Sequence, residues 1–203
     1  SGHGPSDARI MLISDGGSDS DISSGLALSG DQERELRALA KTQNLHYDEF
    51  WKTSLIKERI NLRIPEMNKE LAGKILFAYR HFPLSQHKNS LAAAYAAEAA
   101  GRQGKFWEMH DQLFKNQSEW SESANVAEFF KKYAGTAGLN MDKFLSDIGS
   151  KEVKDKVASD AKGGIKANVN STPTFFLNGK KMEGFKTYDE FRNIVREAVR
   201  SNS

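Results

Sequence analysis

Thiol chemistry is closed to this chain, because its 203 residues include no cysteine. Disulfide exchange and most low-pKa nucleophiles depend on a thiolate. Other chemistry-bearing residues gather in a few places. Asp15, Asp19 and Asp21 stand near Gly16 and Gly17 and could hold calcium, but the twelve-residue loop with a terminal glutamate is missing. A solvated loop explains them better. The five histidines have no metal-ligand spacing. His81 and His110 are read as packing or hydrogen-bonding residues, and Phe106, Trp107 and Phe114, at helical spacing, as core. A Gly-rich phosphate loop and a Gly-x-Ser-x-Gly elbow are both absent from the sequence. No cofactor and no metal is therefore expected.

One run stands out. In Ser171-Thr172-Pro173-Thr174-Phe175-Phe176-Leu177-Asn178-Gly179-Lys180, a short β-prone segment meets a hairpin turn signal. Lys181 to Phe185 would be the return strand. Pro173 opens the first strand, where a missing N–H is tolerated. Its peptide bond is either an ordinary trans bond or one of the cis bonds that X–Pro sequences allow.

The elements that must position this run can be read from the apolar pattern. Ile10-Met11-Leu12-Ile13, within 7–14, predicts a buried strand, and 15–30 a Gly/Ser/Asp-rich loop. Helices are expected over 31–41, opened by Asp31, and over about 48–64, where Phe50, Trp51, Leu55, Ile56 and Ile60 form a stripe. Pro65 would kink or restart the second before Gly73. A strand at 74–80, a helical block at about 88–165, the hairpin 174–185 and a helix at about 187–200 follow. Phe191, Ile194, Val195 and Val199 would face inward on the last helix. The order predicts an α/β protein with a mixed sheet covered by helices.

Five segments carry a resemblance. They are Lys74 to Leu84 with Arg80-His81-Phe82-Pro83, the Ala-rich run Ala92 to Ala100, Gly104-Lys105-Phe106-Trp107-Glu108-Met109-His110, Tyr133 to Phe144, and the Thr172-Pro173 strand. In this order they resemble DsbA-type thioredoxin-fold thiol–disulfide oxidoreductases, over residues 74–200. The resemblance implies a single thioredoxin-like domain over 1–203, with a helical insertion at about 86–168 between the central strand and a cis-proline strand. An extra helical segment at about 24–64 would be added. It also implies a cis Thr172–Pro173 bond, substrate binding at Thr172 and Pro173, and an extracytoplasmic location.

In that family a Cys-x-x-Cys opens the helix after the first strand. Here Gly4 to Ile13 resembles the lead-in, which puts Ser20 and Ser23 at the two cysteine positions. A rival register takes Tyr47-Asp48-Glu49-Phe50 as the lead-in and puts Lys52 and Leu55 there. Serine cannot replace the thiol, being far less acidic and forming no S–S bond. Ser20 could still donate a hydrogen bond, as in the related kappa-class glutathione transferases, or Ser20 and Ser23 could be simple loop and cap residues.

Size and charge narrow the functions. At 203 residues there is enough chain for a real core, and the hydrophobic and charged fractions of 38% and 28% suit a globular protein. With 29 basic and 27 acidic residues, nothing argues for nucleic acid. No apolar run nears the roughly 18 residues of a membrane span. No signal peptide is visible, and Ser1-Gly2-His3-Gly4 would suit an expression-tag remnant. The leading expectation is a non-redox DsbA-like module that binds peptide or an unfolded client protein. The alternatives are a serine-using glutathione transferase or isomerase, and an oxidoreductase whose cysteines were replaced artificially.

Overall fold

The computed structural model describes residues 8–14, 60, 63–71 and 73–201. The expected loop at 15–30 and helix at 31–41 lie outside these, as does nearly all of the helix at 48–64. So do Ser20, Ser23, Lys52 and Leu55.

Four strands form one sheet in the order β2-β1-β3-β4. They are β1 (Ala8–Ser14), β2 (Ile75–His81), β3 (Thr174–Leu177) and β4 (Lys180–Lys181). β3 and β4 are antiparallel, with Phe176 opposite Lys181 and Leu177 opposite Lys180. That register leaves a two-residue loop. Asn178 (φ 50°) and Gly179 (φ 81°) are both left-handed, as a type I′ turn requires. The return strand is shorter than expected. Met182 N–H still donates to the Phe175 carbonyl at 2.8 Å, but Gly184 (φ 81°) then turns the chain and delivers Phe185 to the core.

The helices are α1 (63–70), α2 (Ser90–Gly101), α3 (Phe106–Lys115), α4 (Gln117–Trp120), α5 (Val126–Thr136), α6 (Met141–Ile148), α7 (Lys151–Lys166) and α8 (Tyr188–Ser201). Local chemistry sets several boundaries. Pro65 falls in the described start of α1. The Asn140 side chain accepts from Lys143 N–H, and Ser150 from Val153 N–H, at the starts of α6 and α7. Thr187 and Glu190 form a reciprocal capping box ahead of α8, their side chains each accepting from the other's N–H at 3.1 and 3.2 Å.

The described residues fall into two compact units. The first comprises 8–12, 60–79 where described, and 173–201; the second comprises 13–14 and 80–172. The first has a core of Ile60, Ile64, Met67, Ile75, Phe175, Phe185, Tyr188, Phe191, Val195 and Val199. Phe175, Phe185 and Phe191 meet edge to face at 5.0 to 6.0 Å. In the second unit α2 is the axis, touching α3, α5, α6 and α7. Its alanines 93, 96, 97, 99 and 100 are buried, and their small side chains let the neighbours approach closely. Trp120 is also buried, its indole N–H donating to the Leu113 carbonyl at 2.8 Å. Asn89 Nδ2 reaches the carbonyls of Trp120, Ser121 and Ser123 at 2.8 to 3.0 Å, clasping the start of α2 to the turn after α4.

Candidate functional site

The chain reaches Thr172 by a defined route. After Lys166 the helix α7 is capped by Ala167, whose N–H donates to Gly163 and Gly164 carbonyls at 3.0 Å. Asn168 takes a left-handed φ of 56°, and the Val169 N–H returns to the Gly164 carbonyl at 3.0 Å. Val169 is buried, whereas Asn170 and Ser171 are exposed. Thr172 and Pro173 are half-buried, and Thr174 then enters the sheet. Thr172 forms no hydrogen bond to any described residue, and Pro173 carries no N–H. Because β3 has β1 on one side and β4 on the other, backbone groups outside the ladder end at Pro173.

A second cluster occupies the end of β2, within the second unit. Arg80 Nη1 donates to Asp160 Oδ1 at 2.9 Å, and the His81 N–H to Asp160 Oδ2 at 3.3 Å. Lys156 also pairs with Asp160, and it lies 3.5 Å from Glu98 Oε1. His81 Nε2 donates to the same Glu98 oxygen at 3.0 Å. Charge alternates along the chain Arg80, Asp160, Lys156, Glu98, and His81 ends it. Burial acts to raise the Glu98 carboxyl, but the hydrogen bond from His81 and the Lys156 charge outweigh it and hold its pKa below the ordinary value. The seam fixes the last residues of β2 to α2 and α7.

Beside it lies an aromatic group on α3. Phe106 meets His81 edge-on at 5.9 Å and Trp107 at 5.0 Å. His110 sits 5.3 Å from Trp107 and 4.7 Å from Phe114. His110 is buried, and its Nδ1 donates to Asp111 at 3.1 Å. Desolvation lowers the His110 pKa, and the Asp111 charge offsets this only in part. Trp107 corrects the sequence reading. It is 41% exposed rather than core, because it sits on the outer side of α3 while Met109, His110 and Leu113 turn inward.

Of the candidate residues, Thr172 and Pro173 lie within the described structure, and the two rival registers do not. The polar seam was missed. Its signal was present, since Asp160 continues the buried spacing Val153, Val157, Gly164 on α7. A carboxylate in an apolar stripe demands a buried partner. Among the described residues no cluster of His, Asp and Glu could hold a metal ion.

A family model described as thioredoxin matches residues 60–197. Among solved structures the chain is similar to oxidised BdbD of Bacillus subtilis, with TM-score 0.66 and 17% identity over 98% of this chain and 91% of that one. It is also similar to alpha-DsbA1 of Wolbachia pipientis, with TM-score 0.64 and 17% identity over 97% of this chain and 87% of that one. Curated relatives include the Na(+)/H(+) antiporter NhaA 1 of Mycolicibacterium gilvum, 37% identical over 131 residues, which are 62% of this chain and 20% of the relative. The Na(+)/H(+) antiporter NhaA of Herminiimonas arsenicoxydans is 31% identical over 124 residues, 61% of this chain and 18% of the relative. The chain therefore spans about a fifth of the length of the curated relatives it matches. Among the described residues no helix is long and apolar enough to cross a membrane. The family match covers well over half the sequence, and the solved structures align over nearly the whole chain at TM-scores of 0.64 and 0.66, so this chain belongs to the thioredoxin family, with the fold of the DsbA-type proteins and no cysteine.

Proposed function

We propose that this chain is a non-redox binding module, which holds an extended peptide or an unfolded segment of a client protein at Thr172 and Pro173. The observation that carries the reading is the state of Thr172. It is half-buried, and its N–H, carbonyl and hydroxyl lack partners among the described residues. Water can satisfy such half-buried groups in the free chain, and an extended peptide can take its place through its own backbone. The lack of cysteine supports the non-redox half, since no sulfur nucleophile is available for exchange. Two experiments test it. Titration of the ¹⁵N-labelled full chain with an unstructured peptide is expected to shift amides at 170–174; binding that leaves these unmoved overturns the site. In insulin reduction and dithiol-peptide oxidation, turnover above the uncatalysed rate overturns the non-redox reading.

A second reading concerns the setting. Several curated relatives are Na(+)/H(+) antiporters that carry a segment like this chain within a much longer protein. We read the module as one that works beside a membrane transporter, on its extracytoplasmic side. Fractionation of native cells, probed with an antibody to this chain, checks the location; a purely cytoplasmic signal overturns it.

A further inference from the structure

We propose that the exposed flank of α7 leading to Thr172 selects acidic peptides. The inference rests on the peptide-binding reading above and adds the chemistry of the ligand.

Between 156 and 172 the only acidic residue is Asp160. It is buried and committed to Arg80, Lys156 and the His81 N–H. The exposed surface of this stretch therefore carries no negative charge. It does carry Lys162 and Lys166, and neither has an ion-pair partner among the described residues. The nearest acid on the same face is Asp155, two turns back and already held by Lys151.

Between the lysines stands Ile165, 66% exposed, the most exposed of the large apolar side chains among the described residues. Ala158, Lys162, Ile165 and Lys166 follow helical spacing and share one face. A lysine in the last turn favours the helix dipole, which accounts for Lys166. The dipole gives no reason to expose Ile165. A Cβ placed on Gly163 would meet nothing within 4 Å, so the surface beside Lys162 is open to close approach.

Reach is adequate. Six residues link Lys166 to Thr172, which bounds their separation at about 20 Å, and roughly six residues of extended peptide cover the same span. A peptide paired with Thr172 could thus lay carboxylates against Lys162 and Lys166 and an apolar side chain against Ile165.

The test uses the full chain and three fluorescein-labelled octapeptides that alternate leucine with glutamate, glutamine or lysine. Anisotropy is read at low and at physiological salt. The glutamate peptide is expected to bind tightest and the lysine peptide weakest, with the preference shrinking as salt rises. A Lys162→Glu/Lys166→Glu variant is expected to lose about five- to tenfold for the glutamate peptide and to gain for the lysine peptide. Both positions are exposed, and circular dichroism checks that the fold is kept. Equal binding of the glutamate and glutamine peptides overturns the selectivity and leaves the peptide site standing. So does a preference that the double variant does not alter. Binding of no peptide overturns both proposals, even if anionic phosphatidylserine vesicles are bound.

Discussion

Phe175, Phe185 and Phe191 hold the first unit together edge to face. In the second unit, α2 packs through alanines and a partly buried seam of ions ties Arg80 and His81 to α2 and α7. The contrast separates two ways of excluding water. Aromatic packing stabilises at any pH, because nothing in it titrates. The seam and the neighbouring His110 stabilise only in particular protonation states. The first unit should therefore be the less sensitive to solution conditions, and the second the more selective about geometry.

The largest expected effect is in the aromatic core. Phe191→Ala removes a fully buried ring that touches two others. A loss of about 3–5 kcal/mol is expected in denaturant unfolding. Less than roughly 1 kcal/mol would mean that these rings do not carry the unit.

Asp160→Ala comes next. It strips the carboxylate from Arg80, Lys156 and the His81 N–H. The two cations are 45% and 40% exposed, so water can take over part of the lost interaction. About 1–3 kcal/mol is expected by the same measurement. A loss greater than that of Phe191→Ala would reverse the comparison.

The pH dependence sharpens it. His110 has its pKa depressed in the folded state, below the 6.5 of the free side chain. The unfolded chain then binds more protons, so stability is full above 6.5 and declines as pH falls below it. Glu98 and Asp111 are also depressed, and their contributions are lost at lower pH, beneath the free values of 4.5 and 3.8. Unfolding free energy followed across pH should show the first decline in the native chain and lose it in His110→Phe. An unchanged slope in that variant would take His110 out of the account.

The smallest effect belongs to Trp107→Ala. The side chain is 41% exposed and makes edge contacts to Phe106 and His110. About 1 kcal/mol is expected in urea unfolding. A loss of core size would show that Trp107 is buried in solution after all.

Much of the fold was legible because local chemistry and pattern agree. The Asn178-Gly179 turn, the stripe Phe191, Val195, Val199, and the caps at Asn140 and Ser150 could be read from spacing and residue type, or left a signal there. Trp107 misled, since a helical stripe of large aromatics looks like core whichever side of the helix faces the protein. The polar seam stayed hidden because Arg80, Glu98, Lys156 and Asp160 are far apart in sequence and meet only through tertiary packing. The candidate binding residue is the mirror case. Thr172 was flagged by its place before Pro173, but a sequence cannot say that its hydrogen-bonding groups are left unpaired. Nor can it show that β3 is internal, which confines any docked backbone to the residues before Thr174.

The place of the helical unit in the chain, between β2 and β3, has a kinetic side. β2 and β3 belong to one sheet, yet nearly all of the second unit, 82–172, lies between them in the chain. As coil, that interval imposes a loop-closure cost on bringing the strands into one sheet. Each helix forms through its own i to i+4 hydrogen bonds, which are local and fast. A helical body formed early would shorten the flexible span that β2 and β3 must close. Pulse-labelled hydrogen exchange during refolding is then expected to protect α2 and α3 before β3, and the sheet would be the last part of the molecule to become permanent.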